Sequence, residues 1–411
     1  MANTDFIVGS SNTSTDNIQT SILQGNGVPI SLGDVRAEFN DVGFTAISEF
    51  FSADRDIPSK GSPISLSDFY GAENIHTWYF GGNPEDAAIG YPDGQLPGPS
   101  DFNTFTTAGG QTYRTYQTSN YDLLSNAVAQ GWNGFSELVI LIPADVIIYG
   151  TSVQNPTIKI DKATNNPNGG AAWVNPITVD SRGIILGKGG QGGGDGGSGQ
   201  VGGDAIEVNA GRQNVNDPDS VLPLVRVLNA GFILAGGGGG GGSDVGSGGG
   251  GGGAAGGGNG RAYNGAGGTG TGAGAISGNE GNDANILRGA NGGGNEPGAG
   301  GFAGGGGGGR RTRTKASTLY GGGGGGGRDW RQTATGGTGD NNGGGNGGAW
   351  GGDGSNGSET GGGGGWGQPG GDSTRSGGGR GGAGGQAVRV SGTDANVQVV
   401  DIGGVRLGSE L

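Results

Sequence analysis

Phe232-Ile233-Leu234-Ala235 runs directly into seven consecutive glycines, Gly236 to Gly242, and this junction between an apolar strand and a bare backbone decides how the chain is read. Further uninterrupted runs follow at Gly248 to Gly253, Gly304 to Gly309, Gly321 to Gly327 and Gly361 to Gly365, all of five to seven residues. A flexible linker has no reason to keep its glycine blocks equal in length, whereas a stack of rods does. Glycine in the polyproline II geometry rises about 3.1 Å per residue with three residues per turn, so seven residues make a rod of roughly 22 Å. Such rods can pack on every side and exchange N–H and C=O hydrogen bonds. The competing reading is disorder, because 110 glycines in 411 residues with no strict triplet is also the mark of low complexity. Ordering each backbone residue costs about 1–2 kcal/mol, more for glycine, and a hydrogen bond returns about 0.5–1.5 kcal/mol. A glycine bundle therefore needs apolar clamps at its borders.

The sequence contains such clamps, and they repeat. Ile177-Thr178-Val179-Asp180-Ser181-Arg182-Gly183-Ile184-Ile185-Leu186 leads into the first glycine region, and Val225-Arg226-Val227-Leu228-Asn229-Ala230-Gly231-Phe232-Ile233-Leu234 into the second. Each reads as strand, turn, strand, an apolar hairpin. Val397 to Gly408 closes the chain in the same style. The exits match too, Gly202-Gly203-Asp204-Ala205-Ile206-Glu207-Val208 resembling Gly384-Gly385-Gln386-Ala387-Val388-Arg389-Val390. Repetition of this kind indicates a built unit rather than a tether.

Hairpin, glycine run and exit strand together resemble the glycine-rich host-recognition proteins of tailed bacteriophages, among them tail-fibre-tip adhesins with a polyglycine II sandwich. The resemblance covers about residues 137 to 411 and lies in the pattern rather than in single residues. It implies a non-enzymatic adhesin of the virion tail, made in the host cytoplasm. Its partners would be other phage tail or baseplate proteins and a bacterial surface glycan or outer-membrane receptor. Fibres of this kind are often homotrimers, although an adhesin capping a fibre can be a single copy.

Whole-chain properties narrow the classes. A net charge of −14 speaks against a general nucleic-acid or anionic-membrane binder. With no cysteine, disulfides and thiolate metal sites are excluded. The start, Met1-Ala2-Asn3-Thr4-Asp5-Phe6, shows no secretion signal, and apolar stretches such as Leu138 to Ile142 are too short to span a bilayer.

Residues 1–72 carry a different repeat, Pro29-Ile30-Ser31-Leu32-Gly33-Asp34 echoed by Pro63-Ile64-Ser65-Leu66-Ser67-Asp68. The Ser and the Asp three residues on suit a helix start, so a small helical module is expected. The pattern also looks like the amino-terminal segments of phage tail and baseplate proteins, which would make this module the virion anchor. Residues 73–175 read as a β-rich domain. Strands are expected at His76 to Phe80, Thr104 to Tyr116, Leu138 to Ile142 and Val146 to Tyr149. One helix is expected through Leu123, Leu124, Ala127 and Val128, with Ser119 or Asn120 as N-cap and Gly131 as its stop. Residues 176–411 form the glycine-rich, polyglycine-II-like sandwich with flanking β-hairpins. The fold class is thus mainly β and irregular.

Catalytic chemistry finds no frame. The one histidine, His76, sits beside Trp78 and Tyr79 with no nucleophile motif around it. Carboxylates are scattered, leaving a glycosidase pair possible but unsupported. Lys188 is followed by Gly189 where a P-loop needs Ser or Thr, and Asp195 falls one place late for a calcium repeat. No cofactor or metal is expected.

The chemistry between glycine runs stands out instead. Arg310 to Arg331 holds six positive residues, Arg310, Arg311, Arg313, Lys315, Arg328 and Arg331, against Asp329 alone. If the runs are rods, these are rod-end loops, together with Tyr263, Tyr320, Trp330, Trp350 and Trp366. Aromatic faces stack on sugar rings and Arg forks grip phosphate or carboxylate, so these residues are the receptor-binding candidates. Covering the bundle or meeting a neighbouring subunit would explain them equally simply. An RNA-binding arginine-glycine segment would be basic overall, and this chain is acidic. The expected function is a tail fibre or tail-tip adhesin; the alternative is a structural virion component, such as a fibre connector, baseplate or capsid decoration protein, without receptor binding.

Overall fold

The computed structural model describes residues 75–81, 102–106, 111–129, 132, 137–161, 176–193, 196–209, 225–242, 261–262, 265–266, 345–348, 352–358, 360–391 and 397–410. Apart from residues 75–77 and 137, these belong to one compact unit, Trp78–Gly134 with Leu138–Leu411. The repeated paired sequences at Pro29 to Asp34 and Pro63 to Asp68 lie outside the described residues.

The strands succeed one another around three sheets. In chain order they are β1 (Ile75–Tyr79), β2 (Asn103–Thr106), β3 (Thr112–Thr118), β4 (Tyr121–Asp122), β5 (Glu137–Ile142), β6 (Val146–Gly150), β7 (Ile158–Asp161), β8 (Ile177–Ser181), β9 (Ile184–Leu186) and β10 (Ile206–Asn209). After these come β11 (Val225–Asn229), β12 (Phe232–Leu234), β13 (Arg261–Ala262), β14 (Gly265–Ala266), β15 (Gln386–Val390), β16 (Val397–Asp401), β17 (Val405–Leu407) and β18 (Ser409–Glu410). The first sheet has the order β1-β5-β8-β11-β16, the second β17-β12-β9-β6-β3-β2 and the third β18-β15-β10-β7-β4. Each circuit of the chain therefore lays one strand on each sheet. The result is a three-sided parallel β-solenoid whose rungs are β1/β3/β4, β5/β6/β7, β8/β9/β10, β11/β12/β15 and β16/β17/β18. β2 pairs antiparallel with β3 at the outer side of the first rung. β13 and β14 form a separate antiparallel pair.

The expected apolar hairpins are not hairpins. β8 and β9, like β11 and β12 and like β16 and β17, turn a corner and enter different sheets. Their hydrogen bonds go to the equivalent strands of the next rung, with Ile177 opposite Val225 and Val225 opposite Val397. The similar segments resemble one another because they stack. The same holds for the exit signatures, where Ile206 faces Val388 and Val208 faces Val390. Corners repeat as well: the Ser181 carbonyl accepts from Ala230 and Gly231 N–H, and the Asn229 carbonyl from Ile402 and Gly404 N–H.

Period-two alternation fills the interior. Leu138, Ile140, Ile177, Val179, Val225 and Val227 from the first sheet meet Val146, Ile148, Ile185 and Ile233 from the second and Ile158, Ile160, Ile206, Val208 and Val388 from the third. Each such side chain contributes about 1.5–3 kcal/mol on burial. Sheets of parallel strands are covered on both faces, and the outer face of the second sheet is apolar too, with Ile147, Ile184, Leu186 and Leu234 buried. At the last rung the inward ladder Ile148–Ile185–Ile233 ends in Arg406, whose Nε lies 2.8 Å from an Asp401 carboxylate oxygen. A charged pair there closes the stack toward water.

The expected helix is α1 (Leu123–Ala129), with Leu123, Leu124 and Ala127 buried. Its cap is neither Ser119 nor Asn120: Asp122 Oδ1 accepts from the Leu124 and Ser125 N–H groups at 3.0 and 3.3 Å. Asn120 instead takes a left-handed φ of 58° in the turn before it. The expected strands stand at β1, β5 and β6, while the stretch Thr104 to Tyr116 holds two strands, β2 and β3, that pair antiparallel.

Candidate functional site

The glycine excursions all leave from one corner. Between the second and third sheets the chain spends residues 151–157 in the second rung, 187–205 in the third and 235–385 in the fourth. β8, β9 and β10 therefore stack directly on β5, β6 and β7, so the clamps and the β core preceding them are one body.

Hydrogen bonding around Gly236–Gly242 comes at steps of three. Gly236, Gly239 and Gly242 donate to the carbonyls of Gly203, Gln200 and Gly197, each at 2.9 Å. Gly238 and Gly241 donate to Gln368 and Gly371, and their own carbonyls accept from Gly364 and Gly361. Gly190 and Gly193 donate to Gly237 and Gly240, while Gly385, Gly382 and Gly379 donate to Gly236, Gly239 and Gly242. The central run is thus bonded to five neighbouring segments, with the three-residue repeat of a polyproline-II-type chain. Side chains are excluded where segments touch: a Cβ on Gly239 would fall on the Gln191 carbonyl, and one on Gly238 on the Gly382 carbonyl.

These partners fix which end is which. Gly187, Gly203, Ala235 and Gly385 adjoin solenoid strands and mark the near end. Gly193, Gly197, Gly242, Gly361 and Gly379 lie at the far end, as does Gly345, whose N–H donates to the Thr360 carbonyl at 2.7 Å. Exposed polar side chains gather there: Ser198, Asn356, Ser358, Thr374, Arg375, Ser376 and Arg380. Arg380 N–H donates to Ser198 Oγ at 3.3 Å and joins two of the segments. Sequence reading passed over these residues because, beside Arg310 to Arg331, they carry no aromatic side chain and only two separated arginines, Arg375 and Arg380.

Of the receptor-binding candidates, Tyr263, Arg310, Arg311, Arg313, Tyr320, Arg328, Trp330, Arg331 and Trp350 lie outside the described residues. Trp366 is described and is no surface residue: it is fully buried at the near end against Ile147, Ile184, Leu186 and Leu234. An indole following five glycines looks like a loop tip in sequence, but its large apolar area is what the outer face of the second sheet requires.

Charge on the solenoid is ordered by stacking. Asp122, Lys159, Glu207 and Arg389 stand opposite one another on successive strands of the third sheet, alternating in sign. Arg389 Nη2 donates to Glu207 at 2.7 Å, and Lys159 Nζ lies 2.6 Å from the buried Asp161 carboxylate. Lys159 is raised above its ordinary value, chiefly by its hydrogen bond to Asp161. Burial raises Asp204 despite the Gln386 N–H and Arg389 beside it. At the root of the rods Lys188 is pushed down to about 8 by burial. Among the described residues no three carboxylate or histidine side chains gather as metal ligands.

No curated protein matches the chain. A crystal structure of the gp37–gp38 adhesin tip complex of the bacteriophage S16 long tail fiber aligns with 95% of this chain and 100% of that one, at 20% identity and a TM-score of 0.40. The family model described as phage tail fibre adhesin Gp38 matches residues 110–304, which span the solenoid strands β3 to β12 and the glycine runs from Gly189 to Gly301. Over residues 110–304, a little under half of its length, the chain is thus similar to the phage tail fibre adhesins that this model describes.

Proposed function

We propose that the protein binds the bacterial surface through the far end of its glycine bundle while residues 1–72 attach it to other tail or baseplate proteins. One observation carries this reading. The chain leaves the described bundle at Gly242 and returns at Gly345, and both residues lie at the end opposite the solenoid. Residues 243–344, with Tyr263, Arg310, Arg311, Arg313, Tyr320, Arg328, Trp330 and Arg331, follow Gly242 and precede Gly345 in the chain; Trp350 follows soon after. Binding loops held by a rigid scaffold are the usual arrangement for recognition. Arginine forks and aromatic faces suit a surface glycan bearing phosphate or carboxylate, or an outer-membrane protein surrounded by it. The role is non-enzymatic, the protein is synthesised in the host cytoplasm, and it works on the virion as one copy or a homotrimer.

Replacing Arg310–Arg331 by glycine and serine of equal length tests the reading in purified protein applied to host cells. Cell binding is expected to fall at least tenfold with the solenoid intact. Undiminished binding would favour contact elsewhere, and absence of binding by the parent protein to any susceptible host would favour a purely structural virion component.

A further inference from the structure

We infer that Trp366 is the register pin of the glycine bundle, the residue that selects which glycines end up at the far end. The segments 187–193, 197–203, 236–242 and 379–385 have their register fixed by covalent continuity with β9, β10, β12 and β15. Segments 345–348, 352–357, 360–365 and 368–373 adjoin no strand. Their lateral bonds recur at steps of three, Gly238 to Gln368 and Gly241 to Gly371 on one side, Gly364 to Gly238 and Gly361 to Gly241 on the other. Sliding such a segment by three residues, about 9 Å along the axis, recreates the same bonds one step on. Side-chain-free strands specify register weakly for this reason.

Trp366 breaks that degeneracy. It stands at the near-end turn between segments 360–365 and 368–373, where Gln368 N–H donates to the Gly365 carbonyl and Gly367 N–H to the Ala235 carbonyl. Gly367 has a φ of 61°, and a Cβ there would meet Gly408, so the turn lies tight against the last rung. The indole fills the apolar outer face of the second sheet. Its Nε1 is buried with no hydrogen-bond partner, so apolar area rather than a polar contact holds it in place. Any slide withdraws the ring from this seat.

The chain has no cysteine, so Ser358→Cys at the far end, between two segments that adjoin no strand, and Val128→Cys on α1, both exposed, give a unique pair of spin labels. Pulsed electron–electron distance measurements on the labelled full chain are expected to show one narrow distribution. With Trp366→Ala the distribution should broaden or gain a component displaced by about 9 Å, with Trp366→Leu lying between, while Trp366→Phe keeps the single distance. Amide exchange in β8 and β11 should remain slow in all three. A single unchanged distance in the Ala and Leu variants would overturn the inference. So would Trp366→Phe behaving like Trp366→Ala, which would make the N–H the holding group, or loss of β8 and β11 protection, which would make Trp366 a general core residue.

Discussion

Asn229 Nδ2 donates a 2.9 Å hydrogen bond to Asp401 Oδ1 across 172 residues of sequence. The two residues occupy the same corner on successive rungs, and nearly all of the chain between them is the glycine-rich excursion and its exit strand. This bond, with the Ile402 and Gly404 N–H groups donating to the Asn229 carbonyl, closes the solenoid over its own insertion. The fourth rung, from which the longest glycine excursion leaves, is thereby tied to the fifth.

Asn229→Ala should therefore loosen the last rung. Asn229 is fully buried, and its loss leaves Asp401 with Arg406 as its remaining side-chain partner. A cost of about 1–3 kcal/mol is expected in urea unfolding, with faster amide exchange in β16 than in β8. Equal exchange in both strands would show that the corner bond does not hold the rung.

Gly239→Ala is expected to destroy the bundle locally, because the added Cβ would fall on the Gln191 carbonyl and the backbone on both sides is already bonded. Ala383→Ser is the control: Ala383 sits within an outer segment with its side chain exposed. Amide exchange across Gly236 to Gly242 should quicken at least tenfold in the first variant and stay unchanged in the second.

Lys188 gives the protein an alkaline signature. Its folded value, about 8, lies below the ordinary 10.5, so folding disfavours the protonated amine. The cost is present in full below pH 8 and disappears as pH rises toward 10.5. Lys188→Met should raise the urea midpoint at pH 7 by removing that cost. By pH 10 the advantage should shrink by more than half. A gap that stays constant with pH would place the amine in water.

Arg406→Ile would extend the inward ladder Ile148–Ile185–Ile233 to the last rung and expose an apolar end. The fold should persist while the protein self-associates at micromolar concentration, read by sedimentation velocity. Charged residues on a strand edge normally prevent such pairing.

Much of the local structure was legible. Leu123, Leu124 and Ala127 at helical spacing gave α1, and the apolar runs Leu138 to Ile142 and Val146 to Tyr149 gave β5 and β6. The cap was misplaced because Ser119, Asn120 and Asp122 are all competent acceptors, and only the backbone path decides which one reaches the free N–H groups.

The sequence by itself determined that this is a β and glycine protein built from repeats. Val225 to Leu234 and Ile177 to Leu186 announce that by their likeness, since period-two apolar patterns need burial whatever their partners are. Tertiary structure alone decided that the repeats stack as rungs instead of folding back as hairpins: the alternation is identical in both, and the difference lies in hydrogen bonds to strands up to 172 residues away. It also decided that Trp366 is buried. A tryptophan among glycines carries no local sign of which surface it meets, and the apolar cluster that buries it, with Ile147, Ile184, Leu186 and Leu234, comes from strands remote in sequence.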